Sequence, residues 1–215
     1  MTQSQKTTSK SIGRFYIPEA DKVFTQFYSA VVERRGRHYE KNDDLEQRLA
    51  RIGRWISDPG APSGLLLGGR PGNGKTTAIR ALQLLISCSG QKDPVNLDHY
   101  GHPDDAVMKV VNAFDLASIC EQKDGQFDRL KKMGILAIDD IGIEPLDYSK
   151  FGNIVNPLID IFYYRYEKQL MTVFSTNLTT EMLDKRYGDR FADRLNEMAY
   201  RVGFPSHSFR YNNYE

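Results

Sequence analysis

The apolar positions of this chain follow two periods, and the change comes near residue 64. Before it, Phe24, Phe27, Tyr28, Val31 and Val32 recur at helical spacing after Pro18, and Gly36 closes the stretch. Leu45, Leu49, Ile52 and Ile56 mark a second amphipathic helix over about 43–56, with Trp55 beside the stripe. The run 57–64, rich in Pro, Gly and Ser, is a joint. Beyond it, short apolar runs predict strands at 65–67, 108–113, 135–138 and 171–175. Helical patterns fill 76–87, 115–122, 126–132, 151–168 and, broken, 180–198, while 91–106 reads as a polar loop. Apolar strands separated by helices predict an α/β fold of P-loop type: a five-stranded parallel sheet with helices on both faces and a short helical extension in front. The domain division follows the joint, with a helical region at 1–58, frayed over 1–13, and a core at 59–215.

Composition narrows the picture only a little. At 215 residues and 40% hydrophobic, the chain has material for one ordinary core. The net charge of +1 argues for no partner, but residues 1–41 carry +4 and the remainder −3. A basic leading segment suits nucleic acid or an acidic partner, and equally a solvated face. Cys88 and Cys120 are isolated and read as small core residues in a reducing compartment. With no apolar signal and no stretch approaching a membrane span, the expected location is cytoplasmic.

The chemistry begins at Gly69-Arg70-Pro71-Gly72-Asn73-Gly74-Lys75-Thr76, which fits G-x-x-x-x-G-K-[ST] between a strand and a helix and is followed by Thr77. Glycines at these places let successive N–H groups line one anion-binding concavity, reinforced by the positive end of the next helix. Lys75 supplies a charge for the β- and γ-phosphates, and Thr76 a hydroxyl for Mg²⁺. The expected cofactors are therefore a nucleoside triphosphate, which the resemblance given below makes ATP, and Mg²⁺. A second apolar strand ends in Asp139 and Asp140: the first suits a Mg²⁺ ligand, the second a group that aligns the attacking water. A third ends in Asn177, placed to sense the γ-phosphate. Arg190 and Arg194 lie four apart on one helix and have two readings: an arginine offered to a neighbouring subunit's nucleotide, or local ion pairs with Asp189 and Asp193. Asp98, His99, His102, Asp104 and Asp105 invite a metal-site reading, but loop residues without register favour a plain turn. The first helix either docks a partner or packs on the core.

The phosphate loop, Ile138-Asp139-Asp140-Ile141-Gly142, Arg165-Tyr166-Glu167 before Ser175-Thr176-Asn177, the run from Tyr187 to Leu195, and Ser208-Phe209-Arg210 together resemble the DnaC-type helicase-loader ATPases. The similarity covers about 60–212, and the transposition-linked IstB-type ATPases share much of it. The resemblance implies an AAA+ ATPase acting in DNA replication that forms homo-oligomers side by side on its partner. That partner would be a replicative helicase or a transposase, with single-stranded DNA bound as well. It makes Arg194 the trans-acting finger, with Arg190 second. Thr77 departs from the family, which often has His there, and the 91–106 loop is longer and more acidic. The leading segment is short for a helicase-binding domain, and a full C-terminal lid is not expected, so its arginine is either missing or replaced by Arg210. A nucleotide-gated binding module with negligible turnover and a small-molecule kinase are the alternatives in other classes. Trp55 and Tyr39 are candidates for the base.

Overall fold

The computed structural model describes residues 16–204 apart from 123, 147, 151 and 152, so Arg210 and the 1–13 segment lie outside the described residues. Two helices come first, α1 (Ala20–Arg34) and α2 (Asp43–Ser57), then β1 (Gly64–Gly69) and α3 (Lys75–Cys88). A hairpin of β2 (Lys92–Leu97) and β3 (Pro103–Asp105) leads to β4 (Met108–Asn112), α4 (Leu116–Glu121), α5 (Gln126–Lys132) and β5 (Ile135–Ile141). A second hairpin, β6 (Tyr148–Lys150) and β7 (Asn153–Val155), precedes α6 (Pro157–Glu167) and β8 (Met171–Thr176). The chain continues through α7 (Thr180–Tyr187), α8 (Asp189–Met198) and β9 (Ala199–Phe204).

The five-stranded parallel sheet is present, in the order β4-β5-β8-β1-β9. Alternate residues of each strand face opposite ways, which divides the core in two. Leu65, Leu67, Ile135, Ala137 and Val173 meet Phe24, Leu49, Ile52, Ile79 and Leu82 from α1, α2 and α3. Leu66, Leu136, Ile138 and Phe174 meet Leu116, Phe127, Phe162, Leu183 and Phe191 from α4–α8. Burying each such side chain contributes about 1.5–3 kcal/mol, so both faces are needed to hold the sheet. The first helix packs on α2 and α3 through Phe24, Tyr28 and Val31, which is the core-packing reading.

Several expectations need correction. The 91–106 segment is an antiparallel hairpin pinned by Lys92–Asp105 pairing and by buried Asp93, whose carboxylate accepts from the N–H groups of Val95 and Asn96. The helix expected at 151–168 starts only at Pro157, where the Asn156 side chain caps the N–H of Ile159 at 3.1 Å and proline fixes the first turn. The fifth strand, β9, was in none of the predicted runs. Cys120 is buried, but Cys88 is exposed at the end of α3. Trp55 is sealed in the core, donating to the Pro62 carbonyl at 2.9 Å, and is no base contact.

Arg165 is completely buried, which the sequence pattern did not suggest. Its guanidinium donates to the carbonyls of Lys131, Met133 and Met171 and to the Thr172 hydroxyl at 2.7–3.0 Å. It ties α6 to the N-terminal ends of β5 and β8. Burial pulls its pKa down to about 9, which leaves it charged at neutral pH.

Candidate nucleotide-binding site

The phosphate loop leaves β1 at its C-terminal end and enters α3 at Lys75. The turn requires glycine at two places for different reasons. Gly69 has φ +142°, and a Cβ there would collide with the Phe204 carbonyl at the tip of β9. Gly74 has φ +97°, and a Cβ would collide with the Tyr28 hydroxyl of α1. The loop is held from the sheet side by the Asn73 amide, which donates to the Phe204 carbonyl. Lys75 is buried, with its ammonium donating to the carbonyls of Gly69 (2.6 Å) and Arg70 (2.9 Å) and to the Oδ1 atoms of Asn73 (3.2 Å) and Asn177 (2.7 Å). That last bond draws the tip of β8 to the loop. A phosphate entering here competes with these four uncharged oxygens for the ammonium, and its charge favours it.

Beside the loop lies a cavity of about 660 Å³. Pro71, Gly72, Asn73, Gly74, Lys75, Thr76 and Thr77 form its floor, and Asp140 and Asn177 one side. The opposite wall comes from α1, the connector to α2 and the start of α2: Tyr28, Val32, Arg35, Tyr39 and Leu45. Arg35 donates to the Thr77 hydroxyl at 3.1 Å, and the Tyr28 and Tyr39 rings meet edge to face at 6.1 Å. Burial pushes the Tyr28 phenol up to about 12, so it stays a neutral donor. The basic residues around Gly36, legible only as a charged segment, thus include two cavity-lining arginines, Arg35 and Arg37. The signal available in sequence was a helix stop flanked by arginines and followed by Tyr39.

The two acids of β5 are separated by a break in register. Ile138 pairs with Phe174 but Ile141 pairs with Thr176, so β5 carries one extra residue. This bulge puts Asp140 at φ +58°, a left-handed conformation unusual outside glycine. Its N–H donates to the Ser175 hydroxyl at 2.8 Å, and that hydroxyl donates to Asp139 Oδ1 at 2.5 Å. Asp140 is thereby turned into the large cavity. Asp139 remains buried behind it and faces a smaller cleft of about 370 Å³ beside Arg80, Lys109 and Asn112. Ser175 is a site residue that the pattern missed; a fully buried hydroxyl in an apolar strand is the signal that marks it.

The loop's donor set fits a triphosphate: glycine-dependent turns that a Cβ would break, one buried ammonium and a helix N-terminus. Among the oxygen donors suited to Mg²⁺, Thr76 and Asp140 line the large cavity, whereas Asp139 faces the smaller cleft. Arg190 and Arg194 line neither cavity and sit on α8, on the other face of the sheet. Both guanidiniums stack on Tyr163, at 5.7 and 4.9 Å. No group of three or more metal-ligating side chains occurs among the described residues, and the Asp98 carboxylate instead caps the N–H groups of Tyr100 and His102 in the hairpin turn. No helix among the described residues is long and apolar enough to cross a membrane.

No family profile matches the sequence, and no curated protein gives a significant match. Shape does. The DnaC helicase loader superposes with a TM-score of 0.59 at 21% identity, over 83% of this chain and 98% of its own. The two chains share a fold. A primosome component from Streptococcus pyogenes serotype M3 shares this fold with a TM-score of 0.60 at 17% identity, over 96% of this chain and 100% of its own. The replication initiator DnaA, bound to AMPPCP and single-stranded DNA, matches at 0.55 and 14% identity over 79% of this chain and 49% of its own. At such identities the likeness is one of fold alone.

Proposed function

We propose that this protein is a Mg²⁺-dependent ATPase that works as a helicase-loader-like factor in DNA replication. The observation that carries the reading is the convergence on one cavity of Lys75 and Thr76 after β1, Asp140 from β5 and Asn177 from β8. These are the groups that phosphoryl transfer to water requires. The loop N–H groups and Lys75 bind the phosphates. Thr76 would hold Mg²⁺, with Asp139 reaching it through water, and the ion when bound would supply charge neutralisation to the phosphate oxygens. Asp140 aligns a water and takes its proton, and Asn177, tied to Lys75, reads the γ-phosphate. Arg194, with Arg190 as the second choice, comes from a neighbouring copy, so the site works at a subunit boundary. Single-stranded DNA and a replicative helicase are the proposed partners. The support for both is the fold shared with the DnaC helicase loader and with DnaA bound to single-stranded DNA.

The test is ATP turnover by the full chain with and without single-stranded DNA, alongside titration calorimetry with ATP and Mg²⁺. Turnover that Lys75→Ala abolishes, together with nucleotide binding, supports the reading. Tight binding with no turnover under any condition would make the protein a nucleotide-gated binding module instead. Capture of a transposase in place of a helicase by the ATP-bound protein would move it to the other partner class.

A further inference from the structure

Arg194 is held in an unusual way for a surface arginine. Its guanidinium carbon lies 4.9 Å from the centre of the Tyr163 ring and 4.8 Å from that of Tyr166, both on α6. No ion pair among the described residues includes it. The natural partner on its own helix is Glu197, three residues on, at a spacing where opposite charges meet. That carboxylate is engaged elsewhere: the Tyr166 phenol donates to Glu197 Oε2 at 2.6 Å.

The two kinds of contact differ in what they leave behind. A carboxylate would fix the guanidinium but cancel its field. An aromatic face attracts the cation through its quadrupole and leaves the charge available to an outside anion. A single residue, Tyr166, does both jobs here. Its ring carries Arg194, and its hydroxyl keeps Glu197 away.

We infer that Tyr166 is a positioning residue for Arg194, holding it as an uncompensated cation for the nucleotide of a second copy of this chain. This rests on the subunit-boundary reading above. Tyr163 also contacts Arg194, and through its contact with Arg190 it places both arginines of α8 against one aromatic ring.

The experiment compares four full-length variants by steady-state ATP turnover and by ATP-dependent self-association in sedimentation velocity. Arg194→Ala lowers kcat by about 10³-fold, the scale of a missing arginine finger. Tyr166→Phe keeps the ring and frees Glu197, which then pairs with Arg194; kcat falls roughly three- to tenfold, the weight of an exposed or partly buried ion pair, at unchanged nucleotide KM. Tyr166→Phe combined with Glu197→Gln returns kcat to within about twofold of the parent. Glu197→Gln alone stays near the parent. A purely structural phenol could not be rescued by a second loss on the same contact. If the double variant is no better than Tyr166→Phe, or Tyr166→Phe equals the parent while Arg194→Ala is impaired, the positioning role is overturned and the subunit-boundary reading stands. If Arg194→Ala turns over and self-associates normally, both fall together.

Discussion

Changing Ser175 to alanine removes a single oxygen that joins the two acidic positions of β5. That oxygen donates to the Asp139 carboxylate at 2.5 Å and accepts the Asp140 N–H at 2.8 Å. A hydrogen bond to a charged acceptor is worth about 1.5–3 kcal/mol net and a neutral one about 0.5–1.5 kcal/mol. Ser175 is fully buried, so water does not replace either. The expected loss is therefore about 2–4 kcal/mol, which for a chain of this size lowers Tm by roughly 5–15 °C. Function should suffer separately, because the same oxygen anchors the left-handed backbone of Asp140. Once released, Asp140 relaxes toward ordinary φ and leaves the water it aligns, cutting kcat by about tenfold or more, equivalent to ~1.4 kcal/mol in the barrier. Nucleotide affinity, set by the loop and Lys75, should remain near that of the parent. Thermal unfolding by circular dichroism, steady-state turnover and titration calorimetry read the three effects. Ser175→Thr keeps the hydroxyl and restores most of the turnover, at about 1–3 kcal/mol of overpacking. A Ser175→Ala protein that melts within about 2 °C of the parent and turns over ATP at the parental rate would refute the coupling.

Three further outcomes follow from the same structure. Asp140→Asn should bind ATP with near-parental affinity in calorimetry while losing at least about 10²-fold in turnover, the scale of a lost general base. Arg165→Leu should destabilise by about 3–5 kcal/mol in denaturant unfolding, since three carbonyls and a hydroxyl lose their buried donor. Arg165→Lys should recover only part of that, because an ammonium cannot match the planar fork; equal stability of either variant with the parent would refute the clamp. Tyr28 gives a pH signature. Its folded pKa of about 12 exceeds the ordinary 10, so its contribution to stability is complete below pH 10 and is lost as the pH rises toward 12. Denaturant melts at about pH 9 and 11 should show a smaller drop in Tyr28→Phe than in the parent.

Local chemistry determined which elements were legible. The phosphate loop and the strands around it announced themselves, because three glycines, a lysine and buried apolar runs each have few other uses. A break within 180–198 was also legible, and the structure places it at Gly188. Less legible was β9: Ala199-Tyr200-Arg201-Val202-Gly203-Phe204 follows α8 with no turn between, and as an edge strand with one neighbour it needs no continuous apolar run. The start of α6 at Asn156-Pro157 was visible as a cap and first-turn proline, but the apolar residues before it extended the helical pattern too far. Pro94 disguised β2, whose order comes from the Asp93 carboxylate rather than from strand propensity. Within the site, long-range partners were the hidden part. Nothing near Ser175 in sequence indicates Asp139, and nothing near Arg35 indicates Thr77.

The cavity has walls from two origins, the loop and strand tips on one side and α1 with its connector on the other. A ligand that fills it must touch both. Occupancy and the seating of α1 on α3 are therefore linked quantities: whatever free energy a nucleotide contributes to that seating, a protein gripping α1 feels with the same sign and size. A partner that pulls α1 away must loosen the nucleotide by the same factor by which the nucleotide resists the pull.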